Sequence, residues 1–85
     1  MQLEILTPDR TIFSGNITSV TLPGTKSPFA VLKNHAPMIS TLEKGELSLV
    51  TSDGLDILYI INEGILEVNQ NKIMVLSESI RQVEL

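Results

Sequence analysis

The only imidazole in the sequence is His35, so any histidine-based proton relay would have to run through that one residue. A lone histidine excludes a His pair and a His-rich metal centre. Cysteine is absent, which removes a thiolate metal site, a disulfide framework and a cysteine nucleophile. His35 lies in Lys33-Asn34-His35-Ala36-Pro37, where the asparagine before it and the proline two residues on point to a turn. There it either braces the turn by donating to a backbone carbonyl or touches a partner. Serines are frequent, but none sits in a Gly-x-Ser-x-Gly elbow. Gly24-Thr25-Lys26-Ser27 has the look of the end of a phosphate-binding loop. The required Gly-x-x-x-x-Gly-Lys-Ser/Thr spacing is missing, and no strand–loop–helix unit surrounds it, so an ordinary polar loop is expected. The acids Asp53, Asp56, Glu63 and Glu67 are spread over turns and strand faces, which suits a solvated rim rather than a catalytic pair. Catalysis needs convergent groups, and these do not converge.

The chain that must position these residues has 85 residues, enough for one small domain, taken as residues 1–85. Its formal charge is −4, with six Lys and Arg in all, which argues against a nucleic-acid track. No apolar run is long enough for a spanning helix. The first residues, Met1-Gln2-Leu3-Glu4-Ile5-Leu6, have no basic segment and carry an acid within the apolar run, unlike a signal peptide.

The dominant period is two. Met1, Leu3 and Ile5 alternate with Gln2 and Glu4; Val20 and Leu22 with Ser19 and Thr21; Leu47 and Leu49 with Glu46 and Ser48. This is the pattern of half-buried strands. Turn residues fall between the runs: Thr7-Pro8-Asp9, Ser14-Gly15-Asn16, Pro23-Gly24, Lys44-Gly45, Asp53-Gly54 and Asn69-Gln70-Asn71. Asp53-Gly54 is the strongest hairpin signal. Only Ser77–Leu85 offers a candidate for a short helix or an irregular tail. The fold class that follows is all-β, an antiparallel sandwich or flattened barrel of about ten short strands.

One part of the pattern departs from simple alternation. Leu55, Ile57, Tyr59 and Ile61 share one parity, yet Leu58 and Ile60 occupy the other. Ile65, Met74 and Leu76 likewise oppose Leu66, Val68, Ile73 and Val75. A sandwich strand normally buries one face and wets the other. Either a closed barrel covers the extra residues under loops, or they form a partner surface.

Several motifs occur in a fixed order: Thr7-Pro8-Asp9, Ile12-Phe13-Ser14-Gly15, Leu22-Pro23-Gly24, Asn34-His35-Ala36-Pro37, Leu42-Glu43-Lys44-Gly45 and Gly64-Ile65-Leu66-Glu67-Val68. In this order and spacing the chain resembles the N-terminal β-sandwich of the epsilon subunit of bacterial F-type ATP synthase, over about residues 1–81. The resemblance implies a non-catalytic rotor stalk subunit without cofactor or bound ATP. It also implies packing against the gamma subunit, loops that touch the c-subunit ring, and a peripheral position on the cytoplasmic face of the bacterial inner membrane. The second apolar face then becomes the gamma contact, with Leu58, Ile60, Ile65, Met74 and Leu76. The c-ring contact falls on Lys26, Ser27, Pro28, Asn34 and His35, in two turns expected at one end of the sandwich. Where many members have Glu-Gly-Glu-Phe/Leu-Gly, this chain has Lys26-Ser27-Pro28-Phe29-Ala30, so an acidic contact is not carried over. Most members continue into a C-terminal helical hairpin, of which the few residues after Arg81 are too short to form a copy. A free-standing protein- or ligand-binding sandwich is the alternative reading.

Overall fold

Alternating burial along each strand sorts the side chains into an inner and an outer set. The computed structural model describes residues 1–84. Among the described residues nine strands are formed: β1 Gln2–Leu6, β2 Thr11–Leu22, β3 Phe29–Leu32, β4 Met38–Leu42, β5 Gly45–Thr51, β6 Asp56–Ile61, β7 Gly64–Asn69, β8 Lys72–Ser77 and β9 Ile80–Val83. β2 serves two sheets. Its first half, to Asn16, pairs with β1; from Ile17 onward it pairs with β5, and from Ser19 with β3 as well. One layer therefore runs β4-β7-β8-β1-β2 and the other β3-β2-β5-β6-β9. Counting the two halves of β2 separately accounts for the expected ten. Every pairing is antiparallel except β1 with β8, which run parallel.

β2 changes layers at an irregularity. Ile17 lies opposite Thr51, but Ser19 lies opposite Val50, so Thr18 is an extra residue in the ladder. Such a bulge turns the strand and flips the side-chain parity after it. Ile17 and Val20 are accordingly both buried although their numbers differ in parity.

Between the layers lies one core: Leu3, Ile5, Ile17, Val20, Leu22, Val31, Leu42, Leu47, Leu49, Tyr59, Ile61, Leu66, Val68, Ile73 and Val75. Dense packing of this kind makes an interior stiff and hard to compress. Ser77 is the buried polar exception. Its hydroxyl lies 3.0 Å from the Glu63 carbonyl oxygen and 3.1 Å from that of Asn62, and it donates into this pair where the chain passes between layers. At the same corner Gly64 runs so close to the Leu76 carbonyl that a Cβ there would overlap it.

The hairpin signals Asp53-Gly54 and Asn69-Gln70-Asn71 are met, whereas Ser14-Gly15-Asn16, expected as a turn, runs inside β2 and pairs with β1. Gly54 takes φ +89° in the β5–β6 turn, where its N–H donates to the Thr51 carbonyl at 2.9 Å. The β7–β8 turn holds Gln70 and Asn71 at φ 49° and 61°, both left-handed, as a two-residue turn matching strand twist requires. The C-terminal segment differs from expectation. Ile80–Val83 is neither helix nor irregular tail but a strand on β6, pairing Ile61 with Ile80 and Leu58 with Val83. Four residues are too few to show a period, and the open edge of β6 decides their conformation. Leu85 lies outside the described residues.

Candidate partner-docking surfaces

The outer face of the β4-β7-β8-β1 layer is built by register. One row across it reads Thr41, Ile65, Leu76, Leu6; the next reads Ile39, Glu67, Met74, Glu4. These residues point outward because Leu42, Leu66, Val68, Ile73, Val75, Leu3 and Ile5 point in. Four large apolar side chains stand in solvent here: Ile39 at 75% exposure, Ile65 at 51%, Leu76 at 42% and Met74 at 40%. With Glu67 they line one shallow depression.

Of the five residues assigned to a gamma contact, only Ile65, Met74 and Leu76 share this face. Leu58 and Ile60 are half-buried on the outer face of the opposite layer, paired with Val83 and Arg81. The five do not form one surface, and a single flat partner cannot cover them together. Parity places a residue on one face of its strand but not its strand in a layer; β6 and β7, joined by Asn62-Glu63, belong to different layers. Ile39, the most exposed of the large apolar residues in the cluster, was not in the expected set. Its only sequence signal is opposite parity to Leu42 along β4.

The ten c-ring and gamma candidates also differ in setting. Lys26, Ser27, Pro28, Asn34 and His35 are all exposed, as a contact requires. The two turns do not lie together, however. Leu22 pairs with Phe29 and Ser19 with Leu32, so the turns sit at opposite ends of β3. The Pro23–Pro28 loop is tied to the β4–β5 connection, where the Glu43 N–H donates to the Pro23 carbonyl at 2.8 Å and Gly24 bridges to Leu42. The Lys33–Pro37 turn is tied instead to the β7–β8 turn. The Asn34 backbone N–H donates to Asn71 Oδ1 at 2.7 Å, and Asn71 Nδ2 donates to Asn34 Oδ1 at 3.0 Å. Asn34 itself takes φ 66°, a left-handed setting that asparagine tolerates. His35 Nδ1 lies 2.7 Å from the Ala36 carbonyl oxygen and donates to it, which is the bracing role. No group of three or more His, Cys, Asp or Glu is gathered for a metal among the described residues.

Comparison with known proteins gives the family. The model of the ATP synthase delta/epsilon chain β-sandwich domain matches residues 1–83. An ATP synthase epsilon chain of Chlorobaculum tepidum is 41% identical over 78 residues, covering 92% of this chain and 89% of its own. One of Chlorobium limicola is 38% identical over 79 residues, covering 93% and 90%. One of Sulfurimonas denitrificans is 41% identical, with 92% of this chain against 60% of its own length. In fold, the chain is similar to one in the Euglena gracilis mitochondrial ATP synthase OSCP/F1/c-ring structure, with TM-score 0.85 at 19% identity over 94% of this chain and 51% of that one. A chain of the Tetrahymena thermophila mitochondrial ATP synthase central stalk and c-ring superposes with TM-score 0.80 at 14% identity, over 95% and 65%. With the family model spanning nearly all of the sequence and epsilon chains aligned along it, this chain belongs to the ATP synthase delta/epsilon β-sandwich family.

Proposed function

We propose that the chain is a non-catalytic central-stalk subunit of an F-type ATP synthase that braces gamma on the c ring. The observation that carries this reading is the family match over residues 1–83, along an apolar outer face that a rotor partner would cover. The face for gamma is the β4-β7-β8-β1 layer, through Ile39, Ile65, Met74 and Leu76. Exposed apolar clusters of this kind mark partner surfaces. The Lys26-Ser27-Pro28 loop and the Asn34-His35 turn remain the proposed c-ring contacts, and their places at opposite ends of β3 make them two separate contacts. Torque passed between ring and gamma needs a stiff element, which a closed β core supplies. Attachment to the membrane is peripheral, through the complex, on the cytoplasmic face. A net charge of −4 gives no attraction to anionic headgroups.

The test is binding to the purified gamma subunit of the same enzyme. Ile65→Asp and Leu76→Asp are expected to weaken binding at least about 30-fold, since truncating a central interface anchor costs more than about 2 kcal/mol. Both variants are expected to fold, because these side chains do not contribute to the core. Ile60→Asp, on the other layer, is expected to bind like the parent. Undiminished binding by folded Ile65→Asp and Leu76→Asp would remove this face from the assignment.

A further inference from the structure

Exposed apolar side chains on the outer β4-β7-β8-β1 face suit it to a partner, but do not say which partner. The two carboxylates among them carry that information. Register puts Glu67 and Glu4 directly on either side of Met74, on the strands that flank β8. Adjacent strands lie about 4.8 Å apart, so the two acid residues are roughly 10 Å apart with a thioether between them. Both are exposed. The nearest cation on the face is Lys72, one row further on, opposite Asn69 and Gln2 and therefore only diagonal to each acid. Glu4, Glu67, Lys72 and Met74 line one continuous depression that abuts the apolar one at Glu67 and Met74.

Resting on the gamma assignment, we propose that this face is specific for a gamma surface that presents apolar side chains with a lysine or arginine among them. The apolar part seats on Ile39, Ile65 and Leu76. The cation lies over Met74, within reach of both Glu67 and Glu4. Docking removes water from around the acids, so a partner without the cation would leave two desolvated carboxylates with only the diagonal Lys72 to share, which disfavours it. The same charges argue against the other occupants of an exposed apolar sheet. A second copy laid face to face would bring four carboxylates against two lysines, and an anionic lipid surface would meet an excess of like charge.

The experiment measures gamma binding by the parent and by Glu4→Gln, Glu67→Gln and the double variant, from about 20 to 500 mM salt. Glutamine keeps the shape and the exposed position, and circular dichroism confirms that each variant folds. The parent is expected to weaken as salt rises. The double variant is expected to bind about tenfold more weakly at low salt and to show a nearly flat salt dependence, so that the curves converge at high salt. Parent-like binding of the double variant at every salt concentration, with gamma still bound, overturns the charge specificity and leaves the gamma assignment standing. Absence of any gamma binding by the parent overturns both.

Discussion

The amide pair between Asn34 and Asn71 ties together two turns that are far apart in sequence, and its asymmetry makes a quantitative prediction. Asn71 takes part in both hydrogen bonds through its side chain, accepting at Oδ1 and donating from Nδ2. The Asn34 side chain takes part in only one; its other bond is made by its backbone N–H. Both residues have positive φ, so glycine is the substitution that removes the amide without backbone strain. Each bond is exposed, which puts its net worth near the lower end of about 0.5–1.5 kcal/mol. Glycine adds about 0.5 kcal/mol through the greater freedom of the unfolded chain, at either site. Asn34→Gly is then expected to cost about 1 kcal/mol and Asn71→Gly about 1.5 kcal/mol. The double variant is expected to fall short of the sum by about 0.5 kcal/mol, because once Asn71 is gone Asn34 has no side-chain bond left to lose. Urea unfolding of the four proteins measures the cycle, with the slope m unchanged as the check that the unfolded state is comparable. Simple additivity of the two single costs would show that the turns are held by something other than this pair.

Two further outcomes follow from the geometry. Gly64→Ala is expected to cost more than about 2 kcal/mol, since the new Cβ overlaps the Leu76 backbone carbonyl; Gly54→Ala is expected to cost only about 1 kcal/mol, from its left-handed φ, because its surroundings are open. Urea midpoints of the two variants measure the contrast. Burial holds the Tyr59 hydroxyl above its ordinary pKa of 10.0, which means the folded state favours the neutral phenol. Its contribution is fully present below that value and is lost as pH rises through the raised folded pKa, where the unfolded chain ionises first. Unfolding midpoints followed from pH 8 to 11.5 are expected to fall at the alkaline end, less steeply in Tyr59→Phe; equal slopes would assign the fall to other groups.

The limits of the sequence lie where physics couples distant residues. Period-two patterning is a local property, and it placed Leu66, Val68, Ile73 and Val75 correctly on the inside. Hairpins are local too, so Asp53-Gly54 and Asn69-Gln70-Asn71 were legible. Layer membership is not. The step from β6 to β7 takes only Asn62 and Glu63, the kind of link a hairpin could also use, yet the chain changes sheets there. That one change separates Leu58 and Ile60 from Ile65, Met74 and Leu76. Parity also depends on an unbroken ladder, and Thr18 breaks it. Ile39 was hidden for a different reason: the inward side of β4 carries Ser40, so its apolar alternation is incomplete. A docking face is made from neighbours across strands, whereas a sequence displays neighbours along them. Ile39, Glu67, Met74 and Glu4 form one row only after three pairings have been settled, two antiparallel and one parallel. The residues that decide partner choice in such a sandwich are therefore those that strand order brings side by side, and conserving them requires conserving the register as well as the side chains.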